Sequence, residues 1–415
     1  MNFDKNTFIS DLSGFIEIKS VKDDCGEVTE KYPLGKGIGE ALEYIEALGN
    51  KYGFKTVNLD NKCVYIEAGE GEKLIGVLVH ADTVGVDNKW TYDPFKLTVD
   101  NGKIYGRGVV DNKGAAVLML HAMKYLNDNS LIKGKRIRLI VGGDEEAGSW
   151  EGMTRYKKTE QIPDISFSPD ADYPVVFAEK GILKIKISKE NTLKGFIFEG
   201  GKTANIVPDY AFCECNGKKY EANGKSAHSM EPHKGENACL KLAKVLNDNG
   251  VNNDFTDLLN RANTKDFDIE LSDRASGELT INPSIARVNE NEKYLICDIR
   301  YPVTQNSDEI IKRIEGKVSV LGYTVKEESH NPPLYVDKNS HLVTTLLNVY
   351  NECTGRNDKP VSMGGGTYAR AFPNAVAFGI WFCDKESAIH KPDEWWEISD
   401  IEKNYEIMIE ALKRL

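Results

Sequence analysis

The sequence predicts an α/β protein with a main domain built on a mixed, largely parallel sheet flanked by helices, and a smaller α+β domain inserted into it. Two short apolar runs, at residues 74–79 and 137–141, are typical of parallel strands that are buried on both faces. Apolar residues at helical spacing occur before and between these runs. The chain between residues 182 and 333 is much longer than one connection needs, so we assign it to the inserted domain.

The composition is that of a globular protein with a large core. Of the 415 residues 28% are charged, and no apolar segment approaches the length that crosses a bilayer. The net charge of -11, without a stripe of Lys and Arg, argues against nucleic acid as a partner. The amino-terminal residues lack a basic segment followed by an apolar one, so we expect a cytoplasmic protein without a membrane partner. The eight cysteines lack Cys-x-x-Cys spacing and are expected to be reduced.

Periodicity predicts the elements of the main domain. The amino-terminal residues form an amphipathic helix, and a second helix covers residues 36–52 before the stop signal Gly53. Strands are predicted within residues 56–67, and the last apolar strand over residues 375–382. Another helix begins near Lys113, and its apolar face includes Val117, Leu118, Leu120 and Leu126.

His80 and Asp82 stand directly after the apolar run at residues 74–79. Ligand sites in open α/β sheets lie at the carboxyl ends of strands, and side chains two residues apart project to the same side. The imidazole can therefore bind a metal while the carboxylate orients it. Taken alone, the pair would more often be a histidine that only caps a strand.

Asp111 lies in a glycine-rich turn just before the helix that begins near Lys113. Glycines at positions 106, 108 and 114 let the backbone turn tightly around it. Aspartate at such a junction is also a common helix cap.

Further acids and a histidine follow the other predicted strands. The run at residues 137–141 leads into Asp144, Glu145 and Glu146, which alone would predict a solvated acidic loop. A short strand precedes Asp170, and His390 follows the last strand. Two histidines and several acids at one end of several strands can form a two-metal site with nitrogen and oxygen ligands.

Five motifs stand in the order found in one group of hydrolases: His80-x-Asp82, Gly-Arg-Gly-x-x-Asp111, Glu145-Glu146, Ser-Pro-Asp170 and a late His390. Over nearly its whole length the chain resembles the di-metal exopeptidases that include aminoacylase, carnosinase and succinyl-diaminopimelate desuccinylase. Ser-Pro-Asp-Ala-Asp and the Glu-Lys-Gly at residues 179–181 most resemble the bacterial PepV-type dipeptidases. The resemblance implies a zinc-exopeptidase-like catalytic domain and an inserted lid domain.

The resemblance also implies a role for each matching residue. Glu145 is the general base for the attacking water, Asp82 orients His80, and the peptide bond between Asp111 and Asn112 is cis. Two divalent ions are expected per chain, with zinc suited to the ligands and manganese or cobalt as alternatives. The implied ligands are His80, Asp111 and Asp170 for one ion, and Asp111, Glu146 and His390 for the other.

We assign residues 1–181 and 334–415 to the catalytic domain and residues 182–333 to the lid domain. The lid ends at Asn331-Pro-Pro, where two prolines suit a hinge. Its predicted elements are strands at 183–188, 207–213, 279–288 and 294–299, and helices at 236–246 and 307–321.

The lid carries residues of its own. His228 resembles the family's lid histidine, which stabilises the oxyanion of the tetrahedral intermediate, although alone it would more often be a surface histidine. Asn205 and Arg300 match lid positions that hold the substrate carboxylate, and the alternative for Arg300 is an ordinary strand-end ion pair. A turn in the catalytic domain, which is either a backbone site for the same carboxylate or a plain flexible turn, consists of Gly364, Gly365, Gly366 and Thr367.

The predicted function is hydrolysis of dipeptides by a metallo-dipeptidase. A deacylase of N-acyl amino acids on the same fold is the nearest alternative, and only the pocket for the acyl or amino-terminal part separates the two. A non-catalytic peptide-binding protein is a third possibility, against which the presence of both Glu145 and Asp82 argues. The sequence is compatible with a monomer and with a homodimer, so His228 acts either within one chain or across a dimer. No ligand role is assigned to His121, His233, His330 or His341.

Overall fold

The computed structural model describes residues 3–87 and 89–415. Their contacts divide them into two compact units. The first comprises the described residues up to Phe177 together with 336–361 and 367–415, and the second comprises Ala178–Tyr335 and Ser362–Gly366. The boundaries proposed from the sequence stand at 181/182 and 333/334.

The segment Ser362–Gly366 belongs to the second unit, although the sequence assigns it to the catalytic domain. The backbone oxygen of Met363 accepts a hydrogen bond of 3.0 Å from the N-H of Lys180, and that of Gly364 accepts one of 2.8 Å from Nη1 of Arg300. These long-range bonds, which the local sequence does not reveal, hold the glycine turn against the second unit.

The first unit is built on a mixed sheet, as predicted. Its central strand is Lys73–His80, which is buried from Leu74 onwards as its continuous apolar run requires. The central strand pairs in parallel with both neighbours, and the pair at the far end is antiparallel. In spatial order the strands are Lys55–Leu59, Cys63–Gly69, Lys135–Gly142, Lys73–His80, Ile165–Ser168 and Ala375–Ala377.

The parallel register brings three strand ends to one edge of this sheet. His80 lies opposite Gly142, and Val77 lies opposite Phe167. The turns that follow residues 80, 142 and 168 therefore leave the sheet side by side, and they carry most of the candidate site.

The helices of the first unit pack around this sheet. The helix after Asp111 is buried along almost its whole first three turns rather than on one face as predicted, because other elements cover it on every side. The Nζ atom of Lys113 donates hydrogen bonds to the backbone oxygens of Phe15 and Ile18, at 2.9 and 2.7 Å. The helices are Lys5–Ile16, Lys36–Lys51, Lys113–Asp128, Glu151–Thr159, His341–Thr354 and Ile398–Arg414.

The predicted strand at 375–382 is wrong in its second half. Ala375–Ala377 joins the main sheet, whereas Ile380–Trp381 pairs with Ala171–Asp172. One apolar run thus serves two sheets, which periodicity cannot show. A further small sheet of the first unit contains Thr98–Asp100, Lys103–Tyr105 and Trp395–Glu397.

The second unit is a layer of antiparallel strands with helices packed against it. The sequence misses the strands Phe196–Gly200, Lys218–Asn223 and Thr324–Asn331, which are short or rich in charged residues. The predicted helix at 307–321 ends at Val318 and continues as a 3-10 turn. The sheet order is Lys218–Asn223, Tyr210–Cys215, Phe196–Gly200, Thr280–Val288, Glu292–Tyr301, Gly181–Glu190 and Thr324–Asn331, and the helices are Ala238–Asp248, Asp254–Asn260 and Ser307–Val318.

None of the helices in the described part of the chain combines the length and the apolar character that a membrane crossing requires.

A buried polar cluster joins the first three helices of the first unit. The carboxylate of Asp11, which is 3% exposed, accepts hydrogen bonds from Lys51 Nζ at 2.8 Å, from His121 Nε2 at 2.9 Å and from the Tyr52 hydroxyl. Burial opposes ionisation of Asp11, but these three donors outweigh it and hold its pKa below the ordinary value of 3.8. The cluster therefore stabilises the helix packing only while Asp11 is ionised.

Replacing Asp11 by Asn should lower the free energy of unfolding at pH 7 by about 1–3 kcal/mol, since buried donors lose a charged acceptor. Because the native pKa is depressed, the difference from wild type should persist above pH 4 and shrink as the pH falls further. Urea unfolding at several pH values measures this. The matched variant Lys51→Ala, whose side chain is 55% exposed, should cost less than about 1 kcal/mol. Equal losses in both variants would contradict the assignment.

Candidate metal centre

His80 is the last residue of the central strand, and its imidazole is 1% exposed. Its Nδ1 lies 2.9 Å from the backbone oxygen of Asp82. Because a carbonyl oxygen only accepts hydrogen bonds, Nδ1 carries a hydrogen, which leaves Nε2 as the nitrogen that can bind a metal ion. Nε2 faces Asp111 Oδ1 at 3.0 Å and Asp170 Oδ2 at 3.6 Å. A metal ion that replaces the proton between Nε2 and these oxygens would find an imidazole held in a suitable orientation.

The Asp82 carboxylate holds a neighbouring turn. It accepts hydrogen bonds from the N-H groups of Glu145 at 3.1 Å and Glu146 at 2.9 Å, and lies 3.4 Å from His80 Nδ1. The role of this carboxylate in orienting His80 stays a prediction, and the backbone oxygen of the same residue is a second, closer acceptor for the imidazole. The carboxylate fixes the backbone that carries the two glutamates.

Asp111 lies in the turn before the helix Lys113–Asp128, and its peptide bond to Asn112 is cis, as the resemblance implies. Its two carboxylate oxygens face different histidines. Oδ1 lies 3.0 Å from His80 Nε2, and Oδ2 lies 2.8 Å from His390 Nε2. A single carboxylate thus stands between two imidazoles.

Two groups of donor atoms share Asp111. In each group the oxygen and nitrogen atoms lie within 4.8 Å of one another, and His390 Nε2 is 3.0 Å from Glu146 Oε1. Imidazole and carboxylate donors in this mixture suit zinc, and carboxylate-rich groups also accept manganese and cobalt. The structure brings together all five side chains proposed as ligands, in the groups His80, Asp111 and Asp170, and Asp111, Glu146 and His390.

The crowding of acids shifts the pKa values of the cluster. Burial, followed by the charge of Asp111, raises the pKa of Asp170 to about 7, and burial with the charge of Asp170 raises that of Glu145. Burial would lower the pKa of His390, but Glu146 and Asp111 raise it to about 11. Donor atoms of the cluster therefore carry protons that metal cations can replace.

Two residues without a sequence-based role hold the acidic turns in place. Asn112 donates from Nδ2 to Asp170 Oδ1 at 2.9 Å and to the backbone oxygen of Pro169 at 3.0 Å. Asp144, the acid before the two glutamates, accepts hydrogen bonds from Ser149 Oγ at 2.8 Å and the Tyr368 hydroxyl at 2.9 Å. The position of Asp144 in an acidic triplet is a sequence signal for a structural role, whereas nothing in the sequence indicates such a role for Asn112.

Asn205 and His228 lie next to each other in the second unit. The N-H of Ser229 donates to the backbone oxygen of Asn205 at 2.9 Å, and His228 Nδ1 accepts from the N-H of Met230 at 3.1 Å. Asn282, which is 1% exposed, donates to Ser229 Oγ at 2.7 Å and ties this pair to its own strand.

Arg300 forms the ion pair that the sequence left as its alternative role. Its Nε and Nη2 atoms donate to the two carboxylate oxygens of Asp298 at 2.6 and 2.9 Å, and Nη1 donates to the Gly364 backbone oxygen. Asp298 therefore occupies the Nε and Nη2 edge of the guanidinium, and one further hydrogen on each of Nη1 and Nη2 is not used by these bonds. Thr367 lies in the first unit, where its Oγ1 accepts from the N-H of Ala369 at 3.1 Å.

The model of peptidase family M20/M25/M40 matches residues 76–414 of the chain. Two relatives are similar over 99% of the chain and 97% of their own length. The protein named "Putative dipeptidase YtjP" from Bacillus subtilis is 34% identical, and one named "Putative dipeptidase" from Staphylococcus epidermidis is 32% identical.

Solved structures share the fold at low sequence identity. An M20 family metallo-carboxypeptidase from Sulfolobus solfataricus has a TM-score of 0.66 at 19% identity, with 100% of this chain and 99% of that chain covered. The YXEP protein of Bacillus subtilis, described as a dinuclear metal-binding peptidase, has a TM-score of 0.54 at 12% identity, with 99% and 98% covered.

Proposed function

This chain belongs to peptidase family M20/M25/M40, and we propose that it is a metal-dependent dipeptidase acting on small peptides with a free carboxyl terminus. The observation that carries the proposal is the carboxylate of Asp111, which faces both His80 and His390 and belongs to two groups of metal donors. The dipeptidase names of relatives at 32% and 34% identity over nearly the whole chain support the choice of substrate.

We propose that the two donor groups hold two divalent ions, with zinc as the metal that suits them best. When bound, such ions supply Lewis acidity and lower the pKa of water. The residues that would hold them are His80, Asp111 and Asp170 for one ion, and Asp111, Glu146 and His390 for the other.

Glu145 is the proposed general base. Asp82 holds its backbone N-H at 3.1 Å, while no described residue forms a hydrogen bond to its carboxylate. The neighbouring carboxylate of Glu146 is engaged by His390 instead. These contacts support a role in which the Glu145 carboxylate takes a proton from the attacking water and passes it to the leaving amine.

We assign substrate binding to residues of the second unit and the turn next to it. His228 donates to the oxyanion that forms on the attacked carbonyl. Arg300, oriented by Asp298, uses the guanidinium hydrogens that Asp298 and Gly364 do not occupy to bind the substrate carboxylate. The remaining proposed contacts to this carboxylate come from Asn205, Gly364, Gly365, Gly366 and Thr367.

The variant Glu145→Gln should keep both ions and lose about 10²- to 10⁴-fold in kcat, because the amide cannot accept the proton of water. Metal content and turnover of a dipeptide, measured on the same sample, test this. The matched variant Glu151→Gln changes an exposed acid nearby, paired with Lys62, and should leave turnover unchanged. Near-normal kcat in the Glu145 variant would show that another group is the base.

A dipeptide should be hydrolysed faster than its carboxyl-terminal amide by about 10- to 150-fold in kcat/KM, since charge-assisted hydrogen bonds of about 1.5–3 kcal/mol are lost. The variant Arg300→Lys keeps the charge but loses the planar set of donors. The variant enzyme should therefore prefer the dipeptide over its amide less strongly than wild type does. This ratio of two substrates on one sample does not depend on the folded fraction.

An N-acyl amino acid serves as the third substrate in this assay. Equal rates for dipeptide and amide in wild type would contradict the carboxylate requirement. Faster hydrolysis of the N-acyl amino acid than of the dipeptide would replace the dipeptidase assignment by a deacylase.

A further inference from the structure

Glu394 is a fully buried acid that no catalytic role uses. It lies four residues after His390 and directly before the strand Trp395–Glu397, and it is 0% exposed. Its Oε1 accepts hydrogen bonds from the N-H groups of Val110 at 2.9 Å and Asp111 at 3.2 Å. Its Oε2 accepts from the N-H of Gly108 at 3.0 Å and from Arg107 Nη1 at 2.8 Å.

We propose that Glu394 is a positioning residue that sets the distance between Asp111 and His390, and with it the second group of metal donors. This inference rests on the proposed two-metal function. The hydrogen bonds of the Glu394 carboxylate reach the backbone of Asp111 and not the side-chain atoms that we propose as metal donors. Glu394 acts on one ligand through the N-H of Asp111, and on the other through the short chain that leads back to His390.

The pairing of two strands places Glu394 beside the turn. Trp395 lies opposite Tyr105 in the antiparallel register, and the N-H of Gly106 donates to the Glu394 backbone oxygen at 3.1 Å. The side chain then reaches along the turn to Asp111. Gly108 has a φ of 89°, a conformation that glycine adopts without a penalty and that lets successive N-H groups converge on one carboxylate.

The two donor groups should depend on Glu394 to different extents. His80 ends a strand that is paired on both sides, and Asn112 holds Asp170. His390, in contrast, has a side chain that is 51% exposed, and the described residues 382–394 around it form neither helix nor strand. Loss of the Glu394 contacts therefore affects the group of Asp111, Glu146 and His390 more than the group of His80, Asp111 and Asp170.

Glutamine cannot reproduce these contacts. Its amide has one acceptor oxygen and one NH₂ group. In either orientation of the amide, the NH₂ group faces two hydrogen-bond donors and can accept from neither. The variant Glu394→Gln removes about half of the acceptors with almost no change in volume. A matched control is Glu67→Gln, which removes a carboxylate that is 9% exposed and bonded to Arg138 on the main sheet.

The test is titration of metal-free protein with Co²⁺, followed by calorimetry and by visible absorption, which reports the coordination of each ion. Wild type and Glu67→Gln should bind two ions. Glu394→Gln should bind the first within about threefold of wild type and the second at least tenfold more weakly, with an altered spectrum for the second ion only. Melting of the metal-free proteins should show that both variants are folded.

The outcomes separate this inference from the function on which it rests. A wild type that fails to bind two ions overturns the proposed function. If wild type binds two ions, unchanged affinities in Glu394→Gln overturn the positioning role, and so does an equal weakening of both. Should Glu394→Gln not fold, Glu394→Asp, which keeps the charge but shortens the side chain by one methylene, must weaken the second ion more than the first, and unchanged or equally weakened affinities overturn the inference.

Discussion

The candidate site depends on holding carboxylates against one another at the edge of a sheet. Asp111 faces two imidazoles, and Glu146 and Asp170 lie on its two sides. Burial and then the charge of Asp111 raise the pKa of Asp170, and such acids ionise readily only when positive charge stands between them. The divalent ions that we propose supply this charge. The same arrangement that is unfavourable for isolated acids therefore suits this edge to hold metal ions.

Hydrogen bonds from backbone N-H groups also stabilise the buried carboxylates around the site. Asp82 and Glu394 each accept at least two N-H groups from a turn that carries a proposed metal ligand, and Asp144 is bonded in the same way to the first two residues of the helix Glu151–Thr159. Buried carboxylates are satisfied by such donors, and the turns become fixed without helix or strand structure. The ligand positions thus depend on acids that bind no metal themselves, as outer contacts do in metal sites generally.

The fold class could be predicted because the sequence shows the buried apolar strands directly, whereas the five proposed ligands came from the resemblance to a known family and stay a prediction. The hydrogen-bond partners of the buried acids could not be predicted from the sequence, since Asp82 meets Glu145 and Glu394 meets Asp111 only after distant segments pair. The pairing of Arg300 with Asp298 was available from sequence, because residues two apart on a strand share a face.

The domain division illustrates another limit of the sequence. Prolines after Asn331 suit a boundary, but the segment Ser362–Gly366 returns to the second unit through contacts with Lys180 and Arg300.

The central claim is that Asp111 is shared by two ions. The most direct measurement is anomalous diffraction at the zinc edge from crystals grown with Zn²⁺. The account predicts two peaks about 3.5–4 Å apart, one beside each oxygen of Asp111. A single peak, or two peaks away from Asp111, would contradict it.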